Sequence, residues 1–413
     1  MTVEIITIGD EVTTGHTVDT NSSTIARKLT DIGLQIKYKS SVGDVVESME
    51  EVFRIALKRA EIVITTGGLG PTDDDLTKRA IVKVFKRNLI FHEEILEDMN
   101  RRYAARGIEN PAINQNQALL PQGAIFFPNK TGSAVGICIQ ENGRIFISLP
   151  GVPREMEQIL QDEVIPFLQK NMVKSFSTII KLRTIGAPES KLAELIAPKL
   201  KIEPNVRLAY LPSYGGVDLR VIVTGDSQEE TDKKAQTLIR HLEKGCGKYI
   251  YGRDTDTLEG IIGQLLKDND KTLAVAESVT GGQLGMLITT VAGSSKYFLG
   301  GVIAYTNEVK MRESNVSETV INTNGAVSEE CAIAMAVGAR GRFNSDYALA
   351  VTGVAGPDSS EGQAVGTTFI ALASSQPAYA KKFNFGTDRF QIRTRASYAA
   401  LEILRREILD LKS

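Results

Sequence analysis

The sequence predicts an α/β protein in three parts, with an α/β domain at each end and a small α+β module between them. Three observations carry this expectation. Short apolar runs alternate with amphipathic helical periodicity through residues 1–170 and again through 252–413. Between them, over 171–251, the alternation breaks and strand-type runs follow one another. A chain of 413 residues is long enough for two or three domains, each with its own core.

The elements follow in order. "EIITIG" (4–9) reads as a buried strand and "NSSTIARKLTDIG" (21–33) as a helix, with Ile25, Leu29 and Ile32 on one face and Gly33 as its stop. "EIVITT" (61–66) is a second buried strand, "LTKRAIVKVF" (76–85) a helix and "RIFISL" (144–149) a strand before the helix of "PGVPREMEQIL". This order implies crossover connections and a mainly parallel sheet covered on both faces. In the middle, "FSTIIKLRTIG" (176–186) is a strand, "ESKLAELIAPKL" (189–200) a helix, and "VRLAYLP" and "VDLRVIVTG" two strands around "SYGG". The charged helix "SQEETDKKAQTLIRHLEKG" (227–245) completes a βαββα module. Its order is KH-like, but no G-x-x-G clamp joins two helices, so a spacer or dimerisation role is expected. Finally "TLAVA" (272–276), "GVIAY" (301–305), "YALAVTG" (347–353) and "TTFIALA" (367–373) read as strands, and "RFQIRTRASYAALEILRREI" (389–408) as the last helix.

Composition narrows the function. A net charge of −2, from 48 basic and 50 acidic residues, argues against general binding to nucleic acid or to an anionic membrane. No apolar run has membrane-spanning length and the start lacks a signal-peptide pattern, so a cytoplasmic protein is expected. Cys138, Cys246 and Cys331 are far apart and odd in number, and His16, His92 and His241 are scattered. Neither a disulfide framework nor a zinc cluster is expected, and any metal site should use carboxylate oxygens.

Two loops carry chemistry. "TTGGLGPTDDDLT" (65–77) joins a glycine turn, which can lay N–H groups against an anion, to three aspartates that should repel it. Capping of the following helix explains one or two of these carboxylates. A divalent cation bridging carboxylate and phosphate reconciles the rest. "IGDEVTTGHTVDTNSS" (8–23) adds Asp10, Glu11 and Asp19 in a loop that should share the same crevice at the strand ends. No Rossmann fingerprint or P-loop is present. In the second loop, "AVAESVTGGQLG" (274–285), Ser278 leaves a buried strand just before a helix. Thr280 with Gln283 reads as a capping box, which leaves Ser278 and Glu277 unassigned. No histidine follows His241, so a Ser-His-Asp triad within this half is excluded. Tyr305 and Lys310 in "YTNEVK" offer a base instead, and "VTGVAGPDSSEG" (351–362) places Thr352 at the rim.

Together these segments resemble the CinA (competence/damage-inducible protein A) family over essentially the whole chain. "GDE", "DTNS", "TGGLGPTDDDLT", "NKTGSAVG" and "LPGVPREM" resemble its amino-terminal domain, which is related to molybdopterin-binding proteins. "IGAPESKLAE" and "LAYLPSYGGVDLR" resemble its middle module. "AESVTGG", "GSSKYFLGGVIAYTNEVK", "GAVSEECAIAMAVGAR", "TGVAGP" and "GTDRFQIR" resemble its carboxyl-terminal deamidase domain.

The resemblance implies two activities of pyridine-nucleotide salvage. The carboxyl-terminal domain would hydrolyse the carboxamide of nicotinamide mononucleotide, without a cofactor. The amino-terminal domain would hydrolyse ADP-ribose to AMP and ribose 5-phosphate with a divalent ion such as Mg²⁺. Ser278 would be the nucleophile, Lys310 its base and Tyr305 an assistant. Thr280, Gly281, Gly282 and Thr352 would build the amide or oxyanion pocket, while Arg389 and Arg393 would take phosphate. Glu277 and Gly353 join them as substrate-binding candidates. In the first domain Asp10, Glu11, Asp74 and Asp75 would serve metal and diphosphate chemistry, Asp75 foremost, with Gly67, Gly68, Gly70, Thr72 and Asn21 against the substrate. A homodimer is expected. Val279 stands where the family often has Cys, and "DSSEGQAVGTT" replaces a Gly-rich run with Lys-Pro, which leaves that loop's substrate contacts open. Two rivals stay open: a pterin- or nucleotide-binding amino-terminal half without turnover, and an adaptor for competence or recombination.

Overall fold

The apolar run at the start of the chain forms strand β1 (Thr2–Ile8), buried throughout after Thr2. The structure, a computed structural model, describes residues 1–72, 74–171, 176–196, 203–213 and 215–411. It divides into two units, 1–178 with 224–231 and 179–223 with 232–413.

After β1 come α1 (Asp10–Thr13), α2 (Thr20–Asp31), β2 (Gln35–Val42), α3 (Val46–Arg59), β3 (Ile62–Thr66) and α4 (Thr77–Phe85). Next are β4 (Leu89–Phe91), α5 (Glu93–Ala105), β5 (Leu119–Pro121), β6 (Ile125–Phe127), β7 (Gly136–Glu141) and β8 (Arg144–Leu149), then α6 (Pro153–Ile159) and α7 (Ile165–Asn171). The sheet runs β2-β1-β3-β8-β7-β6; its first four strands are parallel and the last two antiparallel. Alternate strand residues feed opposite cores, as a period of two requires. Ile5, Ile64 and Ile147 pack with Ile25 and Leu29 of α2. Ile6, Val63 and Phe146 pack with Phe53 of α3 and Ile81 of α4. The parallel sheet covered on both faces is therefore present, and its antiparallel edge is the part periodicity did not announce.

The middle module comprises β9 (Phe176–Thr184), α8 (Glu189–Ile196), β10 (Val206–Pro212), β11 (Val217–Gly225), α9 (Gln228–Cys246) and β12 (Ile250–Arg253), with sheet order β10-β11-β9-β12. Residues 197–200 of the expected helix lie outside the described residues.

The last region contains α10 (Leu258–Asp268), β13 (Leu273–Glu277), α11 (Gln283–Thr289), β14 (Phe298–Ile303), α12 (Asn307–Ser314), α13 (Glu318–Asn324) and α14 (Glu329–Phe343). It ends with β15 (Tyr347–Gly353), β16 (Thr367–Ala373), β17 (Tyr379–Asn384) and α15 (Arg389–Ile408). In the sheet β14-β13-β15-β16-β17 the first three strands are parallel and β16 and β17 antiparallel. Alanines of β13 and β15 let Ala332, Met335 and Ala336 of α14 pack closely on one face. Val275, Leu349 and Ile370 meet α10 and α15 on the other. Among the described residues no helix is long and apolar enough to cross a membrane.

Candidate active site

Parallel strands bring their carboxyl ends to one edge of each end sheet, and the two chemically rich loops lie there. In the carboxyl-terminal sheet the Ser278 N–H donates to the Val351 carbonyl at 2.8 Å, so β15 fixes the serine just beyond β13. Lys310 comes from α12, which starts at an N-capping Thr306. Its Nζ lies 3.1 Å from Ser278 Oγ and 3.0 Å from the Ala304 carbonyl, with the Tyr305 carbonyl at 3.5 Å. Lys310 is 2% exposed and Ser278 7%. Burial lowers the amine below the ordinary lysine value, while Cys331 and Glu361 act in the other direction. A neutral amine has two N–H donors and one lone pair. Here two carbonyls can take the donors, leaving the lone pair for the serine proton.

A cavity of about 200 Å³ opens on this pair, lined also by Tyr305, Thr352, Gly353, Arg389 and Glu361. Arg389 donates to the Tyr305 hydroxyl at 2.9 Å and to the Gly356 carbonyl at 2.9 Å. The Thr352 hydroxyl is committed to the Ala326 carbonyl at 2.7 Å, so its hydrogen is turned away from the serine.

The remaining candidates stand behind the serine rather than in the cavity. Arg393 places Nε and Nη2 on the Thr280 carbonyl at 3.1 and 2.8 Å, bracing the loop instead of lying open to a phosphate. The capping box is corrected: α11 has Gly282 as N-cap, and Gln283 donates to Thr394 instead. Gly282 carries φ +95°, which a side chain would resist, so the turn suits glycine and displaces Thr280 from the cap position. The cap is supplied by Glu277, whose buried carboxylate accepts from Gly282, Leu284 and Gly285 N–H at 2.9, 3.0 and 2.8 Å. The Thr280 hydroxyl is buried without a partner among the described residues.

At the amino-terminal sheet the ends of β1, β3 and β8 meet so closely that a Cβ on Gly67 would collide with the Ile8 carbonyl. Gly67 also has φ +116° and donates to the Leu149 carbonyl at 3.1 Å. Asn21 reaches across to the Thr66 hydroxyl and the Gly151 carbonyl, leaving its buried Oδ1 without a partner among the described residues. Gly68 lies against Thr77, whose hydroxyl donates to the Gly67 carbonyl at 3.0 Å.

The aspartate run divides. Asp75 accepts from Gly70 N–H at 2.6 Å and from the amide and hydroxyl of Thr72 at 3.0 and 2.5 Å, so it closes the loop. Behind it Lys78 is buried on the Asn116 and Gln117 carbonyls, and burial pushes its amine down to about 8. Asp74 instead joins Asp10 and Glu11 around Asp44, whose carboxyl is raised by burial and then by these neighbouring acids. Asp10 and Asp44 are tied together by reciprocal amide-to-carboxylate bonds of 3.0 Å. Asp73 lies outside the described residues. Asp19 is spent as the N-cap of α2. No group of three acidic, histidine or cysteine side chains poised for a metal ion occurs among the described residues. Asp44 and Glu361 escaped the sequence reading, because single acids in turns carry no periodic or motif signal.

Comparison with known proteins agrees with this layout. Residues 4–170 match the family described as "Probable molybdopterin binding domain", 181–252 the "Damage-inducible protein CinA KH domain", and 255–408 the "CinA C-terminal domain". A "CinA-like protein" of Cytophaga hutchinsonii is 39% identical over 411 residues, covering 99% of this chain and 98% of the relative. Another, of Gemmatimonas aurantiaca, is 40% identical over 411 residues, covering 98% of this chain and 96% of the relative. A solved CinA protein "with unknown function" from Thermoplasma acidophilum is 32% identical and covers 40% of this chain and 96% of its own, with a TM-score of 0.38. Two near-full-length relatives of this identity, and three matched domains in the same order, admit one assignment: the chain belongs to the CinA family.

Proposed function

We propose that the carboxyl-terminal domain hydrolyses the carboxamide of nicotinamide mononucleotide to the carboxylate and ammonia. The observation that carries this reading is the buried Lys310 Nζ, 3.1 Å from Ser278 Oγ, at a cavity that also holds Arg389. Lys310 takes the serine proton as Oγ attacks the carboxamide carbon. The Val279 amide, which makes no hydrogen bond among the described residues and belongs to a residue lining the cavity, is the donor proposed for the developing oxyanion. The C–N bond breaks, ammonia leaves with a proton returned by Lys310, and water then cleaves the acyl-serine with Lys310 again as base. Arg389, braced by Tyr305, supplies the charge for the substrate phosphate. The test is ammonia release from nicotinamide mononucleotide. Ser278→Ala and Lys310→Met should each lower kcat by about a thousandfold or more. Unchanged release in Ser278→Ala overturns the reading.

For the amino-terminal domain we propose metal-dependent hydrolysis of ADP-ribose, supported by the Asp10–Asp44 pair beside Asp74 and Glu11. Carboxylate oxygens suit a hard divalent ion that takes one or two protein ligands and completes its shell with phosphate oxygens. Asp10 and Asp44 would hold it, and it would offset the charge of the diphosphate. Gly67, Gly68 and Gly70 let the loop fold where a Cβ would collide with the Ile8 carbonyl, Thr77 and Asp75, and Asn21 ties the strand end to the Gly151 carbonyl. AMP and ribose 5-phosphate should form with Mg²⁺ and cease with EDTA; products that persist in EDTA defeat the metal requirement. Binding of ADP-ribose by calorimetry with no product would favour a binding module without turnover.

A further inference from the structure

A second cavity, of about 730 Å³, lies where the middle module meets the last helix within the second unit, and it shares no lining residue with the Ser278 cavity. Two sequence segments that neither proposed reaction uses line it: the 185–188 turn after β9, and Gly215 and Gly216 before β11. These glycines are needed for the approach. A Cβ on Gly216 would collide with the Thr184 carbonyl, and one on Gly215 would press on the Tyr398 ring at 3.3 Å. Volumes of this size hold compact organic ligands, which need flat apolar surface and a few convergent polar groups. Both are present. Tyr398 and the stacked pair Phe383–Phe385, with centroids 5.3 Å apart and planes at 10°, supply the surface.

The charge is one-sided. Lys248, Lys381 and Arg395 line the cavity, and none of them forms an ion pair among the described residues. The acid at its wall, Glu402, is already bound by Arg405 at 2.7 Å and Arg406 at 2.6 Å, so it does not neutralise them. Cations gathered around one concavity with aromatic walls favour an anion that carries a planar ring.

We infer that this cavity is a binding site for a nucleoside 5′-monophosphate or a ligand of that chemistry, with its phosphate among Lys248, Lys381 and Arg395 and its ring on the aromatic wall. The site is separate from both proposed reactions, and its test does not depend on either.

Guanosine 5′-monophosphate is the probe, since it is neither substrate nor product of those reactions. Calorimetric titration of the full chain should show one site, with guanosine and inorganic phosphate each binding at least tenfold more weakly. Lys381→Glu with Arg395→Glu should weaken the nucleotide at least tenfold while the thermal unfolding midpoint holds. Should that variant fail to fold, Lys381→Gln with Arg395→Gln serves the same purpose with a smaller expected loss. No nucleotide binding, equal binding of guanosine or phosphate, or unchanged affinity in a folded variant would each overturn the inference.

Discussion

Lysine acts as a base only when neutral, so burial of Lys310 has a kinetic signature. Its folded pKa lies below the ordinary lysine value, so the active, unprotonated fraction grows as pH rises with its midpoint displaced downward from that of a free lysine. Ammonia release should therefore climb with pH along a limb displaced below that of an ordinary lysine, and kcat/KM measured against pH checks it. A limb in the ordinary lysine range would contradict this role. Glu361 extends the argument, because its carboxylate shares the cavity and favours the charged form of Lys310. Glu361→Gln removes that charge while keeping an acceptor for the Val327 N–H, held at 3.0 Å. The limb should then move to lower pH; a limb that stays or moves upward refutes the coupling.

At the scale of an element, the serine loop and the first turn of α11 hang on one buried carboxylate. Glu277 accepts three N–H groups that have no other partner at the helix start. Glu277→Ala strands those donors in a buried setting, which should cost about 2–4 kcal/mol and lower the unfolding midpoint by several degrees. Glu277→Gln keeps one acceptor and should recover part of the loss. Chemical denaturation of the three proteins measures it, and equal stability would show that α11 is held by its packing alone. In the first unit Asp75 has the matching duty of closing the glycine loop, so a loss of ADP-ribose hydrolysis in Asp75→Ala would report loop geometry before metal affinity.

For the whole molecule, the two candidate sites belong to different units, each with its own sheet and cores. Ser278→Ala should abolish ammonia release and leave ADP-ribose hydrolysis within about twofold, and Asp10→Ala should do the reverse. Product analysis of both variants with both substrates decides this. Cross-inhibition would mean that the units are coupled through a shared conformational equilibrium.

Local pattern alone was enough for the central strands of the end sheets, though not for edge strands such as Gln35–Val42, Ile125–Phe127 and Tyr379–Asn384. The strands Tyr347–Gly353 and Thr367–Ala373 and the helix Arg389–Ile408 fall where alternation and helical periodicity put them, because burial on both faces writes continuous apolar runs. Ser278 and Lys310 were legible as residue types in suggestive loops, 32 positions apart. Their 3.1 Å approach was not, since it depends on how β13 and β14 pair and on where α12 begins. The same holds for Asp44 beside Asp10, for Glu361 beside Lys310, and for Arg393 turned to the Thr280 carbonyl. Secondary structure answers to periodicity along the chain, which a sequence displays. Meetings of side chains across a sheet edge answer to register and crossover, which only folding in three dimensions decides.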